Sequence, residues 1–311
     1  MGDEVDQSDT GEFPSLPGSE PALPDPSMVR VEVAARSHPG KVRPNNEDHY
    51  IVGQVRRAMQ LQETNLPPEL LPALLDEVGQ VMVVADGMGG MASGEVASRL
   101  AITTGLQLVR DSGRWALQLD QPGEAAALID RFRDYFRRVN RRVFEQASAD
   151  ATMSGMGTTL TVAYSVGAEL FIVHAGDSRA YLCQNGLLQQ ITRDHTLAQD
   201  MALSGQIRQE DVKRHRYRSV LTNYIGSPHE GIEAEIHRLR LASGDCLLLC
   251  SDGLTDMLDD HRIRQTFDLP EPPVAICKSL IRQALQAGGR DNVTAIVARY
   301  HFDEPQSKNS E

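Results

Sequence analysis

The chain has 311 residues, 41% of them hydrophobic and 24% charged, with a formal net charge of −12 at pH 7. That length suits one large domain or two small ones, and the apolar content is that of a globular protein. The acidic balance excludes a nonspecific grip on nucleic acid or on an anionic membrane surface.

Residues 1–27 are acidic, rich in Pro, Ser and Gly, and too poor in apolar side chains to offset the entropy of ordering. They are expected to form a disordered tail, with one folded domain over 28–302 and a second frayed tail over 303–311. The opening MGDEVDQSDT has no apolar run, so no export signal is expected, and no stretch approaches the roughly 20 apolar residues of a membrane span. Cys183, Cys246, Cys250 and Cys277 lack zinc-type spacing, and Cys246 and Cys250, which flank a strand-like run, are expected to be reduced core thiols in a cytoplasmic protein.

From Met28, VRVEVAARS alternates as a half-buried strand. A polar turn, Lys41-Val-Arg-Pro-Asn-Asn-Glu-Asp48, follows and leads into a second strand, HYIVGQV. The turn presents two carboxylates, Glu47 and Asp48, and the guanidinium fork of Arg43, which suits phosphate. A connection rich in Leu and Pro fills 56–79. Then Val81–Ala85 reads as a buried strand that stops at Asp86-Gly87, passes through a glycine-rich turn and enters a helix over Glu95–Arg110. Asp86 offers a hard oxygen and Gly87 a bare carbonyl, as a divalent cation requires, although Asp-Gly is also a common turn. A dinucleotide or P-loop turn is disfavoured: no Gly-Lys-Ser/Thr follows, and Asp86 would repel a pyrophosphate.

Past a loop holding the single Trp, Leu128, Phe132, Phe136, Val139 and Val143 recur at helical spacing, a stripe that belongs to a core. Strands follow over Gly157–Tyr164 and Glu169–Cys183, with Asp177 and a core histidine, His174, inside the second run, and Asn185-Gly186 marks a hairpin turn. The basic run Lys213–Arg218 reads as a solvated face or as a flap over a substrate. Gly244–Gly253 repeats the earlier device, an apolar strand ending in Asp252-Gly253, with Asp256 close behind. A helix over Val274–Ala287, the turn Gly288-Gly-Arg-Asp-Asn292 and a last strand over Val293–Tyr300 complete the pattern.

Several strands that each present an Asp at one end are harder to dismiss than one, because clustered carboxylates repel unless protonated or bridged by cations. The ordered motifs RPNNED, VVADGMGG, GTTL, HAGDSRAY, TRDHT, CSDGL and GGRDNVT resemble those of the bacterial PPM-type (type 2C) metal-dependent Ser/Thr protein phosphatases over Val29–Tyr300. The resemblance implies an α+β fold, a four-layer α-β-β-α sandwich of two antiparallel sheets with a metal site at one end. It implies two Mg²⁺ or Mn²⁺ ions, with Asp86 bridging them, the Gly87 carbonyl as a further ligand, Asp252 and Asp291 on one ion, and Asp48 and Glu47 acting largely through waters at the other. Asp177, with Asp256, matches a third, looser position, and Arg43 the phosphate-binding arginine. A bridging water made acidic by two ions would then attack phosphorus in line. The implied substrates are phosphorylated cytoplasmic proteins acted on by a monomer that opposes a Ser/Thr kinase.

The glycine turn departs from that family pattern. Met88 and Met91 stand where a histidine often protonates the leaving alkoxide, and a thioether carries no proton to give. A metal-bound water is the simplest replacement, and His195 and His49 are the side chains to consider after it. Cys250 lacks a Cys-x5-Arg phosphate loop, so thiol catalysis is disfavoured. A binding module that keeps the fold without catalysis, and a nucleotide-binding enzyme, are the competing readings.

Overall fold

Apolar runs decide the architecture, because most central strands are apolar on both faces and must be covered twice. The computed structural model describes residues 29–58, 67, 76–89, 93–111, 123–228, 232–268 and 271–302. The two expected tails, most of the 56–79 connection, the Trp-bearing loop and Met91 lie outside the described residues. One antiparallel sheet runs β1 (Val29–His38), β11 (Val293–Phe302), β10 (Cys246–Cys250), β7 (Arg179–Gln184) and β8 (Leu187–Gln190). The other runs β2 (Asp48–Ala58), β3 (Asp76–Met88), β5 (Leu160–Val166), β6 (Glu169–Ala175) and β9 (Glu235–Arg240), with the short β4 (Gly157–Thr158) on the end of β3.

The sheets pack face to face. Met82, Val84, Ala163, Ile172, Leu247, Leu249 and Ile296 form the layer between them. Alternate residues of the same strands face outward. Val83 and Ala85 meet α1 (Ser93–Asp111) and α2 (Glu124–Ala149), whose Phe132, Phe136, Val139 and Val143 are the predicted stripe. Cys246, Leu248 and Cys250 face the opposite helical layer, in which α5 (Asp260–Phe267) and α6 (Pro273–Gln286) bury Ile263, Ile276, Cys277 and Leu280. The result is the α-β-β-α sandwich expected from the resemblance, with all four cysteines free.

Three features differ from the sequence reading. The run Glu169–Cys183 is two strands in different sheets, and the crossover at Gly176-Asp177-Ser178 puts Asp177 between them. Strand β9 carries no period-2 apolar signal, since EIHRLR is mostly polar, and it pairs at the edge of its sheet. Two short helices, α4 (Asp252–Thr255) and α5, also went unpredicted, whereas α3 (Leu197–Leu203) falls within Ile191–Gly226, a stretch that reads as alternately helical and irregular. At Asn185-Gly186 both φ angles are positive (51° and 73°), as a tight hairpin turn demands.

Candidate metal centre

The site begins with sheet register. Asp48 opens β2 and pairs directly with Asp86 near the end of β3, which sets two carboxylates side by side. Like charges in that relation destabilise a sheet. Asp48 is 4% exposed. Its Oδ2 accepts from Ser251 Oγ and from Thr294 Oγ1, each at 2.7 Å, while its Oδ1 has no hydrogen-bond partner. Burial pushes the Asp48 carboxyl up to about 6, against the lowering effect of the two hydroxyls and with a further push from Asp291. Asp86 and Asp252 are both raised well above the usual carboxylate range, first by burial and then by their acidic neighbours. Those neighbours include Asp177, itself raised to about 7 by burial and by Asp194. Asp48, Asp86, Asp177, Asp252 and Asp291 therefore form one electrostatic unit at one end of the sandwich, as the motif order implies.

A scaffold of hydroxyls and amides, which the sequence reading did not single out, holds this unit. The Asp86 backbone N–H donates to Thr159 Oγ1 at 2.9 Å, and its carbonyl accepts from Thr158 Oγ1 and the Thr159 N–H. Thr159 also shares a hydrogen bond with Ser178, so Asp86 is tied to the crossover that carries Asp177. Asn292 accepts from the Glu47 N–H and donates to the carbonyls of Pro39 and Asn45, fixing the 39–47 turn against the start of β11. The GTTL and RDNVT motifs contained these residues, but a side chain that serves another side chain leaves no local signature.

Gly87 has a steric reason. A Cβ there would run into the backbone of Gly94 at the start of α1, and one at Gly94 would meet the Gly87 carbonyl and Glu47 Oε2. Two glycines thus let strand, turn and helix meet beside the carboxylates. Glu47 lies at that junction, its carboxyl raised chiefly by burial.

Arg43 donates to Asp291 Oδ2 at 2.6 Å with 55% of its side chain exposed, which places the guanidinium at the rim. Asp256 is farther out: it is ion-paired with Arg218 at 3.1 Å and half exposed. The two histidines are engaged elsewhere. His195 Nε2 bonds Glu235 at 2.9 Å and its ring stacks on buried His174, which is lowered to about 4 by burial and by His195. His49 Nδ1 bonds Ser98 on α1. Met88 Cε lies against Gly157 in β4, and Cys250 is fully buried, its thiol pushed up to about 12 by burial.

The donor set fits a hard divalent cation. Its oxygens come from carboxylates and the Gly87 carbonyl, one buried carboxylate oxygen is orphaned, and the mutual repulsion is the kind that a cation relieves. Among the described residues no three Asp, Glu, His or Cys side chains stand in ready chelating geometry.

These observations define a class: an α-β-β-α sandwich with a cluster of buried carboxylates at one end of its sheets. Residues 73–286 match the family model for protein phosphatase 2C, and the chain belongs to that family. The Ser/Thr protein phosphatase PstP of Mycobacterium tuberculosis is 36% identical over 275 residues, covering 87% of this chain and 46% of PstP, so the chain spans about half of that relative. Protein phosphatase PhpP of Streptococcus pneumoniae is 31% identical over 279 residues, covering 89% of this chain and all of PhpP. Among solved structures, the catalytic domain of PstP in complex with two manganese ions superposes with a TM-score of 0.68 at 32% identity, covering 88% of this chain and 99% of that one.

Proposed function

We propose that the chain hydrolyses phosphoserine and phosphothreonine monoesters on cytoplasmic proteins, in a divalent-metal-dependent reaction that reverses a Ser/Thr kinase, and that it acts as a monomer. The observation that carries this reading is the pairing of Asp48 with Asp86, joined by Asp177, Asp252 and Asp291, around one orphaned carboxylate oxygen. Asp86 and the Gly87 carbonyl would hold two Mg²⁺ or Mn²⁺ ions between them, with Asp252 and Asp291 on one side and Asp48 and Glu47 on the other. Asp177 and Asp256 would serve a third position, provided that Arg218 releases Asp256. Bound there, such ions acidify water and offset charge on phosphoryl oxygens.

The chain's own residues do the rest. Ser251 and Thr294 hold one Asp48 oxygen and so aim the other inward. Thr158 and Thr159 fix the Asp86 backbone, which sets where that carboxylate can reach. Arg43, exposed at the rim, has further N–H donors beyond the one used on Asp291 and can clamp a phosphoryl group. His49 Nδ1 is bonded to Ser98 and His195 Nε2 to Glu235, so a metal-bound water is the simplest source of the proton for the leaving alkoxide.

The test is release of phosphate from p-nitrophenyl phosphate, a phosphothreonine peptide and a phosphotyrosine peptide, each with Mn²⁺ and with EDTA. Manganese-dependent turnover of the phosphothreonine peptide over the phosphotyrosine one supports the reading. Turnover that survives EDTA, or binding without hydrolysis, refutes it.

A further inference from the structure

A polar cleft of about 330 Å³ opens from the carboxylate cluster toward the surface, and it falls within the roughly 300–1,000 Å³ range of ligand sites. Asp177 and Asp252 form its inner end, and the outer wall includes Lys213, Arg218 and Arg290. The internal pairings are uneven. Arg179 makes a bidentate bond to Asp194, at 2.7 and 2.6 Å, and Arg218 is paired with Asp256. Lys213 and Arg290 are both exposed, and neither is ion-paired among the described residues. Lys213 and Arg290 thus stand uncommitted in the wall of the cleft that ends at Asp177 and Asp252, where an anionic ligand would meet them.

The outer wall is built for reach. Lys213 lies in a 3₁₀ turn, Gln209–Arg214, whose Val212 is buried and anchors it while the cations project outward. Arg290 sits immediately before Asp291, so a group that contacts it is close to the Arg43–Asp291 pair.

We infer that this cleft is a substrate subsite in which Lys213 and Arg290 bind an anionic group a few residues from the phosphorylated serine or threonine, so that acidic phosphopeptides are preferred over neutral or basic ones. The inference rests on the phosphatase reading and extends it to substrate class. The anionic group is the carboxylate of a flanking Asp or Glu or a second phosphate, which share the same recognition chemistry. Exposed ion pairs are individually weak, so two contacts set the expected preference at roughly fivefold to tenfold in kcat/KM.

The experiment uses the whole chain in Mn²⁺ and four phosphothreonine peptides that differ only in flanks: alanine, lysine, glutamate or a second phosphothreonine. Where peptides are turned over, kcat/KM is compared; where none is, fluorescence anisotropy in the same buffer gives Kd, so failure of the phosphatase reading does not hide the result. The glutamate or the doubly phosphorylated peptide should lead the alanine one, mainly through KM or Kd, and the lead should shrink as salt rises. Which of the two leads more identifies the anion. The double variant Lys213→Ala/Arg290→Ala should bring the acidic-to-neutral ratio to about 1, Lys213→Arg should keep it, and Arg137→Ala on the outer face of α2 should leave it unchanged. An alanine or lysine peptide that matches or beats the acidic ones, or a ratio that survives the double variant, overturns the inference.

Discussion

Asp48→Asn tests whether repulsion in the metal-free site has the size that its geometry implies. Asp48 is 4% exposed, pairs with Asp86 in register and has one orphaned oxygen. Its carboxyl is raised to about 6 in the folded chain, from roughly 3.9 when unfolded. The folded state therefore binds this proton more tightly. The stability from the neutral carboxyl is fully present below about pH 4 and is lost as pH rises through 6. A shift of about 2 units at about 1.4 kcal/mol each makes the charged form at pH 8 cost about 3 kcal/mol. Asparagine keeps an oxygen for Ser251 and Thr294 and carries no charge, so the variant should gain about 2–3 kcal/mol at pH 8 in EDTA and almost nothing at pH 4. For a domain of this size that is roughly a 5–10 °C rise in Tm. Manganese should reverse the order, since an ion held at 1,000 times its Kd adds about 4.1 kcal/mol to the wild type alone. Urea unfolding at both pH values, with EDTA and with Mn²⁺, reads all four numbers. A variant that is less stable than wild type at pH 8 in EDTA, or equally stabilised at both pH values, would refute the electrostatic account.

Asp252→Ala should abolish manganese-dependent hydrolysis and the manganese-induced rise in Tm while the apo protein stays folded; retained activity would remove Asp252 from the site. Gly87→Ala drives a Cβ into the Gly94 backbone and should weaken manganese binding measured by calorimetry, with a loss of roughly 1–3 kcal/mol in urea unfolding; unchanged affinity would show that the glycine contact is dispensable. His174, fully buried and lowered to about 4, contributes stability that is present above about pH 6.5 and lost as pH falls toward 4, about 3 kcal/mol in all. His174→Gln should flatten that part of the stability profile, and an unaltered slope would assign it to another group. Met91→His should raise turnover of a phosphothreonine peptide more than that of p-nitrophenyl phosphate, whose leaving group barely needs a proton; equal effects would mean that proton supply is not limiting.

The candidate metal centre was legible because its carboxylates sit at strand ends, where an apolar run stopping at Asp is visible along the chain. Asp86 and Asp252 announced themselves in this way, and Asp48 and Glu47 stood out in a polar turn. Asp177 was legible as a residue but not as a place: the run from Glu169 to Cys183 hides a change of sheet, since strands buried on both faces look alike in either sheet. Edge strand β9 was invisible for the opposite reason. Its Glu235 serves His195, His237 and the Arg193 N–H, and its Arg238 pairs with Glu169, so polar side chains fill positions where periodicity would expect apolar ones.

The least legible layer is the one that fixes geometry. Ser251, Thr294, Thr159, Ser178 and Asn292 make their decisive bonds to residues up to 253 positions away, and no local pattern encodes a distance of that kind. Their chemistry explains why they are small and neutral. Lys or Arg inside a carboxylate cluster would weaken the field that attracts a cation, and among the described residues arginines reach only the outer members, Arg43 on Asp291 and Arg218 on Asp256. Neutral groups hold the buried part: the Ser251 and Thr294 hydroxyls fix one Asp48 oxygen by donation, while Thr159 and Asn292 hold backbone beside it, and none of them adds charge. The cations of this region follow the same logic. Arg179 and Arg218 are paired with carboxylates, and Arg43 stands at the rim, so positive charge is kept out of the centre and placed where an incoming phosphate would meet it.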